Sequence, residues 1–290
     1  MRFANDFYDY ELIDAEGGQR LERWKDIILI RPDPQVIWQG ERTDPRWRDA
    51  HAVYHRSNSG GGYWEPLKKV PDVWSVNYHN LTFRLKPMGF KHTGLFPEQA
   101  VNWSFAAEKI RNADRKISVL NLFAYTGGAT LACLEAGAEV THVDASKGMV
   151  QWAKENAEAS NLSGRPVRWL VDDCLKFVKR EIRRGNKYDA IIMDPPSYGR
   201  GPNGEVWKLE QQIHELLTET GKLLSDNPLF FILNSYTGGL SPTILNYMVK
   251  TLVAPFSKGR VFTDEIGLKT SSRQIVMPCG NTTIWTDDED

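Results

Sequence analysis

Residues Ser118–Asp144 read SVLNLFAYTGGATLACLEAGAEVTHVD. A short apolar run, Val119 to Phe123, breaks into Thr126-Gly127-Gly128, an alanine-rich helical segment follows, and a second apolar strand ends on Asp144. Strand, tight glycine turn, helix and strand ending in an acid is the pattern of a nucleoside-binding βαβ unit. Glycines at the turn admit a ligand to the backbone with no Cβ in the way. An acid one helix later accepts hydrogen bonds from ribose hydroxyls. The turn is Ala124-Tyr125-Thr126-Gly127-Gly128-Ala129 and lacks the third glycine of a dinucleotide fold, so NAD is disfavoured.

Composition sets outer bounds. A chain of 290 residues is long enough for one large domain plus an appendage. Its 36 basic and 37 acidic residues nearly cancel, which removes the argument from a basic surface without excluding RNA. Cys133, Cys174 and Cys279 lie far apart with no metal-ligand spacing, so no metal is expected. Nothing at the N-terminus resembles a signal peptide and no apolar run approaches bilayer length, so the expectation is a reduced, cytoplasmic protein with no membrane partner. Oligomeric state is not legible.

Residues 1–90 have a different texture. A Gly17-Gly18 turn between short segments, the run Ile27 to Ile30 and a closing Pro32 and Pro34 indicate β-hairpins. Later residues alternate around Trp74, Val76, Tyr78, Leu81, Phe83 and Leu85, giving a small β-rich subdomain. Six of the ten tryptophans fall by position 103, interleaved with Arg42, Arg46, Arg48 and Arg56. Two uses fit them: clamping an RNA strand by stacking, or filling a small core.

Further along, Lys91 to Trp103 reads as a polar loop entering a helix over 105–112, placed to cover the glycine turn. A helix over 147–160 and a strand Val167 to Val171 lead to Asp172-Asp173-Cys174, then a helix over 175–184. The strand Tyr188 to Met193 ends in Asp194-Pro195-Pro196-Ser197-Tyr198, the most informative pentapeptide in the chain. Two prolines at a strand end remove donors and fix φ, so the loop presents carbonyls and the Asp194 carboxylate rigidly. Such a loop accepts hydrogen bonds from an exocyclic amine or ring N–H, and Tyr198 stacks on a planar base. Residues 199–210 are glycine-rich and suit a lid. A helix over 209–224, a strand over 229–234, a helix over 243–252 and a final hairpin, 259–266 with 273–278, close the domain on an antiparallel strand, before an acidic tail expected to be disordered. Domain limits are thus expected at 1–90, 91–285 and 286–290.

The turn F-x-Y-T-G-x-A, at Phe123 to Ala129, resembles the first motif of class I S-adenosylmethionine-dependent methyltransferases. From Lys91 to about Tyr236, about half of the chain, KHTGLFPEQ, NLFAYTGGA, HVDASKGMVQWAKEN, DDC and IIMDPPSY resemble the bacterial 23S ribosomal RNA methyltransferases that make 5-methylcytosine or 7-methylguanine. The resemblance implies an α/β fold: a Rossmann-like class I methyltransferase sheet, mostly parallel with one antiparallel strand, beside the small N-terminal β-rich subdomain. It implies S-adenosyl-L-methionine as cofactor, contacted by Thr93, Gln99, Phe123, Ala124, Tyr125, Thr126, Gly127, Ala145, Ser146 and Asp194, with Asp144 on the ribose and Asp173, ahead of Asp172, on the adenine amino group. It places the acceptor base at Asp194, Pro195, Pro196 and Tyr198, with Asn234 as a further polar contact. The 5-methylcytosine members attack carbon 6 with a cysteine after the fifth strand, where this chain reads Leu233-Asn234-Ser235-Tyr236, so a thiolate adduct is not expected. The expected reaction is methyl transfer to a nucleobase nitrogen in RNA, ribosomal RNA favoured. Two rivals stay open: a methyltransferase for a small molecule or protein, and a non-catalytic RNA-binding protein that keeps the cofactor pocket.

Overall fold

Gly17 and Gly18 take φ of 59° and 77°, which joins strands β1 (Tyr10–Glu16) and β2 (Gln19–Trp24) by the kind of tight turn that matches strand twist. With β3 (Ile27–Pro32), β4 (Ala52–Arg56) and β5 (Gly62–Pro66) they form one sheet in chain order, antiparallel except where β3 runs parallel to β4. A separate hairpin joins β6 (Trp74–Tyr78) to β7 (Leu81–Leu85). The computed structural model describes residues 1–57, 61–200, 206–254, 258–273 and 275–288. These strands belong to one of two compact units, Arg2–Val101 with Gly267–Cys279. Residues 91–101 and a later hairpin tip therefore group with the N-terminal strands.

In this unit Phe7, Tyr10, Tyr54, Tyr78 and Phe83 lie in the core, whereas Tyr8, Tyr63 and Phe90 are exposed. Trp24 and Trp47 are buried, Trp47 Nε1 donates to Asp14 Oδ2 (2.9 Å), and the indoles of Trp38 and Trp64 donate to the carbonyls of Ala15 (2.7 Å) and Met88 (2.9 Å). Arg42 lies 4.2 Å over the Trp47 ring and Arg46 pairs with Asp44 and Glu11, whereas Arg48 and Arg56 are exposed. Glu22 is fully buried and bonded by Arg31 (2.6 and 2.8 Å). Burial alone would push its carboxyl up, but Arg20 and Arg31 together hold it at about 2.

The second unit comprises Met1, Asn102–Ile266 and Gly280–Asp290. Helix α1 (Ala100–Arg111) starts five residues before the expected 105, because the single turn Pro97–Gln99 runs straight into it. Then follow β8 (Ser118–Leu122), α2 (Gly128–Glu135), β9 (Glu139–Asp144), α3 (Lys147–Ala159), β10 (Val167–Val171), α4 (Cys174–Arg184) and β11 (Ala190–Met193). A short hairpin, β12 (Tyr198–Arg200) with β13 (Val206–Lys208), precedes α5 (Leu209–Gly221), β14 (Phe230–Ser235), α6 (Pro242–Leu252), β15 (Arg260–Lys269) and β16 (Val276–Thr286). The seven-stranded sheet has the order β10-β9-β8-β11-β14-β16-β15, parallel up to β14, with β16 antiparallel to it. Leu120, Leu122, Ile191, Met193, Phe231 and Leu233 form the centre of its core.

The last strand is longer than its sequence suggests. The expected arm covers 273–278, yet the strand runs over Val276–Thr286: Asn281, Thr282 and Thr283 pair with Ser235, Asn234 and Leu233, and the Thr283 and Thr263 hydroxyls meet at 2.9 Å. Of the tail, Asp287 and Asp288 pair with Lys109 (2.8 Å for Asp288), and 289–290 lie outside the described residues. The segment expected as a lid is described at 199–200 and 206–210, where it supplies β12, β13 and the start of α5. Residues 201–205 lie outside the described residues. Among the described residues no helix is long and apolar enough to cross a membrane.

Candidate active site

The chain leaves β8 toward β9 and β10 on one side and returns through β11 to the other, so the sheet has its topological switch point between β8 and β11. In open α/β sheets ligands bind outside the carboxyl ends of the strands at that point. The loops after β8, β9, β10, β11 and β14 all emerge there, and four of them carry the residues singled out from the sequence.

The loop after β8 is held in a costly conformation. Phe123 and Tyr125 take φ of 56° and 50°, unfavourable for residues with a Cβ, and Gly127 follows at 88°. Main-chain bonds fix it: Ala124 N–H donates to the Val143 carbonyl (3.1 Å) and Gly127 N–H to that of Ala124 (3.0 Å). Asn156, fully buried on α3, donates its amide to the Thr126 carbonyl (2.9 Å), and Phe123 N–H donates to Cys174 Sγ (3.3 Å). A Cβ on Gly127 would lie 3.0 Å from that of Ala153, and one on Gly128 only 2.4 Å from the Trp103 ring, so both glycines are also demanded by packing. Beneath the loop, Asn121 donates to Thr130 Oγ1 (2.9 Å) and the Thr130 hydroxyl meets His142 Nδ1 (2.9 Å). Burial pushes His142 down to about 3, so a neutral network ties β8, α2 and β9 together. No side chain caps α2, whose first N–H groups follow Gly127.

Asp144 organises the next loop. Its Oδ2 accepts from Tyr125 N–H (2.9 Å) and its Oδ1 from Ser146 N–H (2.8 Å), so one carboxylate joins the first two loops. Burial raises its pKa, with the two backbone donors working against that rise. Ala145 and Ser146 are exposed, and Ser146 caps α3 through Met149 N–H (3.4 Å). Asp173 caps α4, its Oδ1 accepting from Lys176 N–H (2.8 Å), while Asp172 is ion-paired with Arg180.

On the other side, Asp194 is half-buried, Pro195 buried, Pro196 exposed and Tyr198 51% exposed. Trp207 Nε1 donates to the Pro196 carbonyl (2.6 Å), Leu209 N–H to that of Ser197 (3.1 Å), and the Thr237 hydroxyl to Ser197 Oγ (2.8 Å). Asn234 is buried, and its Oδ1 accepts from Asn102 (3.0 Å) and Thr282 (2.7 Å), leaving Nδ2 as the group through which it would meet a ligand. Thr93 and Gln99, also singled out from the sequence, are buried and group with the N-terminal unit. Burial pushes the Cys133 thiol up to about 12 and raises those of Cys174 and Cys279, so none is poised as a thiolate. Asn156 and Trp207 escape a reading of the sequence. The signals were there, a polar residue on the buried face of an amphipathic helix and a lone aromatic in a glycine-rich stretch.

Comparison with known proteins converges on one chemistry. The S-adenosylmethionine-dependent methyltransferase family matches residues 46–234. Ribosomal RNA large subunit methyltransferase K/L of Shewanella frigidimarina is 35% identical over 207 residues, 71% of this chain and 27% of that protein. Its counterpart from Colwellia psychrerythraea is 30% identical over 178 residues, 61% of this chain and 24% of that protein. The chain thus spans about a quarter of the length of these relatives. Among solved structures, the SAM-dependent methyltransferase from Agrobacterium tumefaciens superposes with a TM-score of 0.91 at 34% identity, covering 99% of this chain and 93% of that one. The SMU.776 structure, determined with SAH, shares the fold at a TM-score of 0.72 and 19% identity, over 97% of this chain and 76% of that one. A glycine turn strained at the switch point, an acid that links it to the next strand, and a family match across most of the chain agree: the protein belongs to the S-adenosylmethionine-dependent methyltransferases.

Proposed function

We propose that this methyltransferase holds S-adenosylmethionine across the loops after β8, β9 and β10 and transfers its methyl group to a ring nitrogen of a nucleobase in RNA, ribosomal RNA in the first place. The chief support is the Asp194–Tyr198 loop, where a half-buried carboxylate and an exposed aromatic ring sit on a segment fixed by three side-chain and main-chain bonds. The two relatives named above add weight, since both are ribosomal RNA large subunit methyltransferases. A ribosomal substrate would place the protein in the cytoplasm.

The residues present suit the cofactor. Each oxygen of Asp144 accepts one backbone N–H, which leaves acceptor capacity for both hydroxyls of a ribose. The cap on α4 uses only Oδ1 of Asp173, leaving Oδ2 for an adenine amino group. The uncapped start of α2 offers its first N–H groups to the rest of the molecule. S-adenosylmethionine supplies a sulfonium methyl that is already strongly electrophilic, so the chain's own task is alignment and exclusion of water.

For the acceptor, Asp194 takes hydrogen bonds from an exocyclic amine or ring N–H. The Pro195 carbonyl is the second acceptor, because that of Pro196 is engaged by Trp207. Tyr198 stacks on the base and Asn234 donates from Nδ2. A ring nitrogen with a free lone pair, such as N7 of guanine, needs no general base, and the raised thiols argue against a cysteine adduct. A base within a duplex must first be unstacked.

Isotope-labelled S-adenosylmethionine, incubated with RNA, protein and small-molecule pools from cells lacking the gene, tests the proposal. Label is expected in ribosomal RNA, with binding that weakens as salt rises, and nucleoside analysis then names the atom. Label confined to protein or small molecules, or cofactor binding with no transfer to any pool, would overturn it.

A further inference from the structure

Trp207 touches both sides of the switch point. Its indole N–H donates to the Pro196 carbonyl at 2.6 Å, inside the Asp-Pro-Pro segment. Its ring packs against Phe123, centroids 5.6 Å apart and planes at 49°, and Phe123 is the left-handed residue that opens the cofactor loop. Within β12–β13 it pairs with Gly199, one residue beyond Tyr198, and two residues later Leu209 N–H reaches the Ser197 carbonyl. One side chain therefore contacts the loops assigned to the cofactor and to the acceptor, and is only partly buried against the core, which is an expensive place to leave a tryptophan for packing alone.

We infer that Trp207 is a positioning residue for methyl transfer: its N–H locks the Pro196 carbonyl and so fixes where Asp194, the Pro195 carbonyl and Tyr198 present the acceptor, while its ring keys that loop to Phe123. Two consequences follow from dividing its contacts by chemistry. Losing the N–H alone frees the Pro196 carbonyl and loosens the acceptor loop, which keeps its two bonds at Ser197, and leaves the cofactor loop supported. Losing the ring as well removes the neighbour of Phe123. The inference rests on the Asp194–Tyr198 loop being the acceptor site.

Three variants separate these contacts: Trp207→Phe, Trp207→Ala, and replacement of Trp207 by 3-benzothienylalanine, which keeps the bicyclic shape and lacks the N–H. For Trp207→Phe and the benzothienyl analogue, kcat on whichever pool the wild type labels should fall roughly 10- to 100-fold, with the Kd for S-adenosylmethionine within about twofold of wild type. Trp207→Ala should show the same loss of kcat together with cofactor binding weakened several-fold. Amide exchange over 197–199 and at Leu209 should quicken in all three, a readout that needs no acceptor. Full kcat with unchanged exchange in the benzothienyl variant would overturn the inference, and so would equal losses of kcat, cofactor affinity and melting temperature in all three, the pattern of a purely structural tryptophan. Failure of the wild type to label RNA would instead strike the substrate proposal, leaving the exchange result to judge Trp207.

Discussion

The two sides of the switch point are built differently. On the β9–β10 side the loops are tied mainly by carboxylates that accept main-chain N–H groups, Tyr125 and Ser146 to Asp144 and Lys176 to Asp173, with the Asn156 amide on the Thr126 carbonyl. On the β11–β14 side the ties are side-chain donors, the Trp207 indole to the Pro196 carbonyl and the Thr237 hydroxyl to Ser197 Oγ. A cofactor met through backbone N–H groups requires a fixed backbone shape, which glycines, acids and caps encode locally. An acceptor site needs only a rigid platform, and any distant donor of the right reach supplies it. The difference predicts that damage on the first side appears in cofactor affinity and damage on the second in the transfer step.

The largest effect on the cofactor side is expected at Asp144. Asp144→Ala removes a partner of two loops and, under the proposed function, of the ribose, and charge-assisted bonds of about 1.5–3 kcal/mol correspond to roughly 10- to 100-fold weaker binding of S-adenosylmethionine by calorimetry. The same residue sets a pH response. Burial raises its pKa, so it takes up a proton at a higher pH than an ordinary aspartate. Ribose hydroxyls donate to the ionised form, hence affinity should be level above that raised pKa and fall as pH drops through it, and the fall should vanish in Asp144→Asn.

Asn156→Ala removes one donor to the Thr126 carbonyl, a loss of about 1 kcal/mol that should surface as several-fold weaker cofactor binding with near-normal turnover at saturation. Gly128→Ala drives a Cβ into the Trp103 ring and should lower stability by about 1–3 kcal/mol in a denaturant titration. The smallest effect is that of Asp173→Ala on folding, about 1 kcal/mol for the lost cap of α4, distinguishable from any loss of adenine contact by comparing denaturation with and without S-adenosylmethionine.

Much of the nucleotide-binding half was legible because its signals are local. The run from Ser118 to Asp144 folds as the strand, turn, helix and strand it spells, and α3, α4, β11 and β14 lie within two residues of their expected ends. What stayed hidden depends on contacts between distant residues. The last strand continues through Asn281–Thr283, past its expected end at 278, because β14 supplies its partners. Asn234 reads as an open polar contact until Asn102 and Thr282 claim its oxygen. Trp207 sits in a stretch whose glycines suggest only mobility, and its role depends on a carbonyl that no sequence pattern marks. The arginines among the N-terminal aromatics divide likewise: Arg42 and Arg46 are engaged by neighbours, and nothing in their spacing separates them from Arg48 and Arg56.

The central claim, that cofactor and acceptor are held by separate loops, is tested most directly by Asp194→Ala with two readouts on one preparation: calorimetric affinity for S-adenosylmethionine and the rate of methyl transfer to ribosomal RNA. The account predicts affinity within about threefold of wild type and transfer reduced at least roughly 100-fold. Transfer at the wild-type rate, or affinity lost in step with transfer, would contradict it.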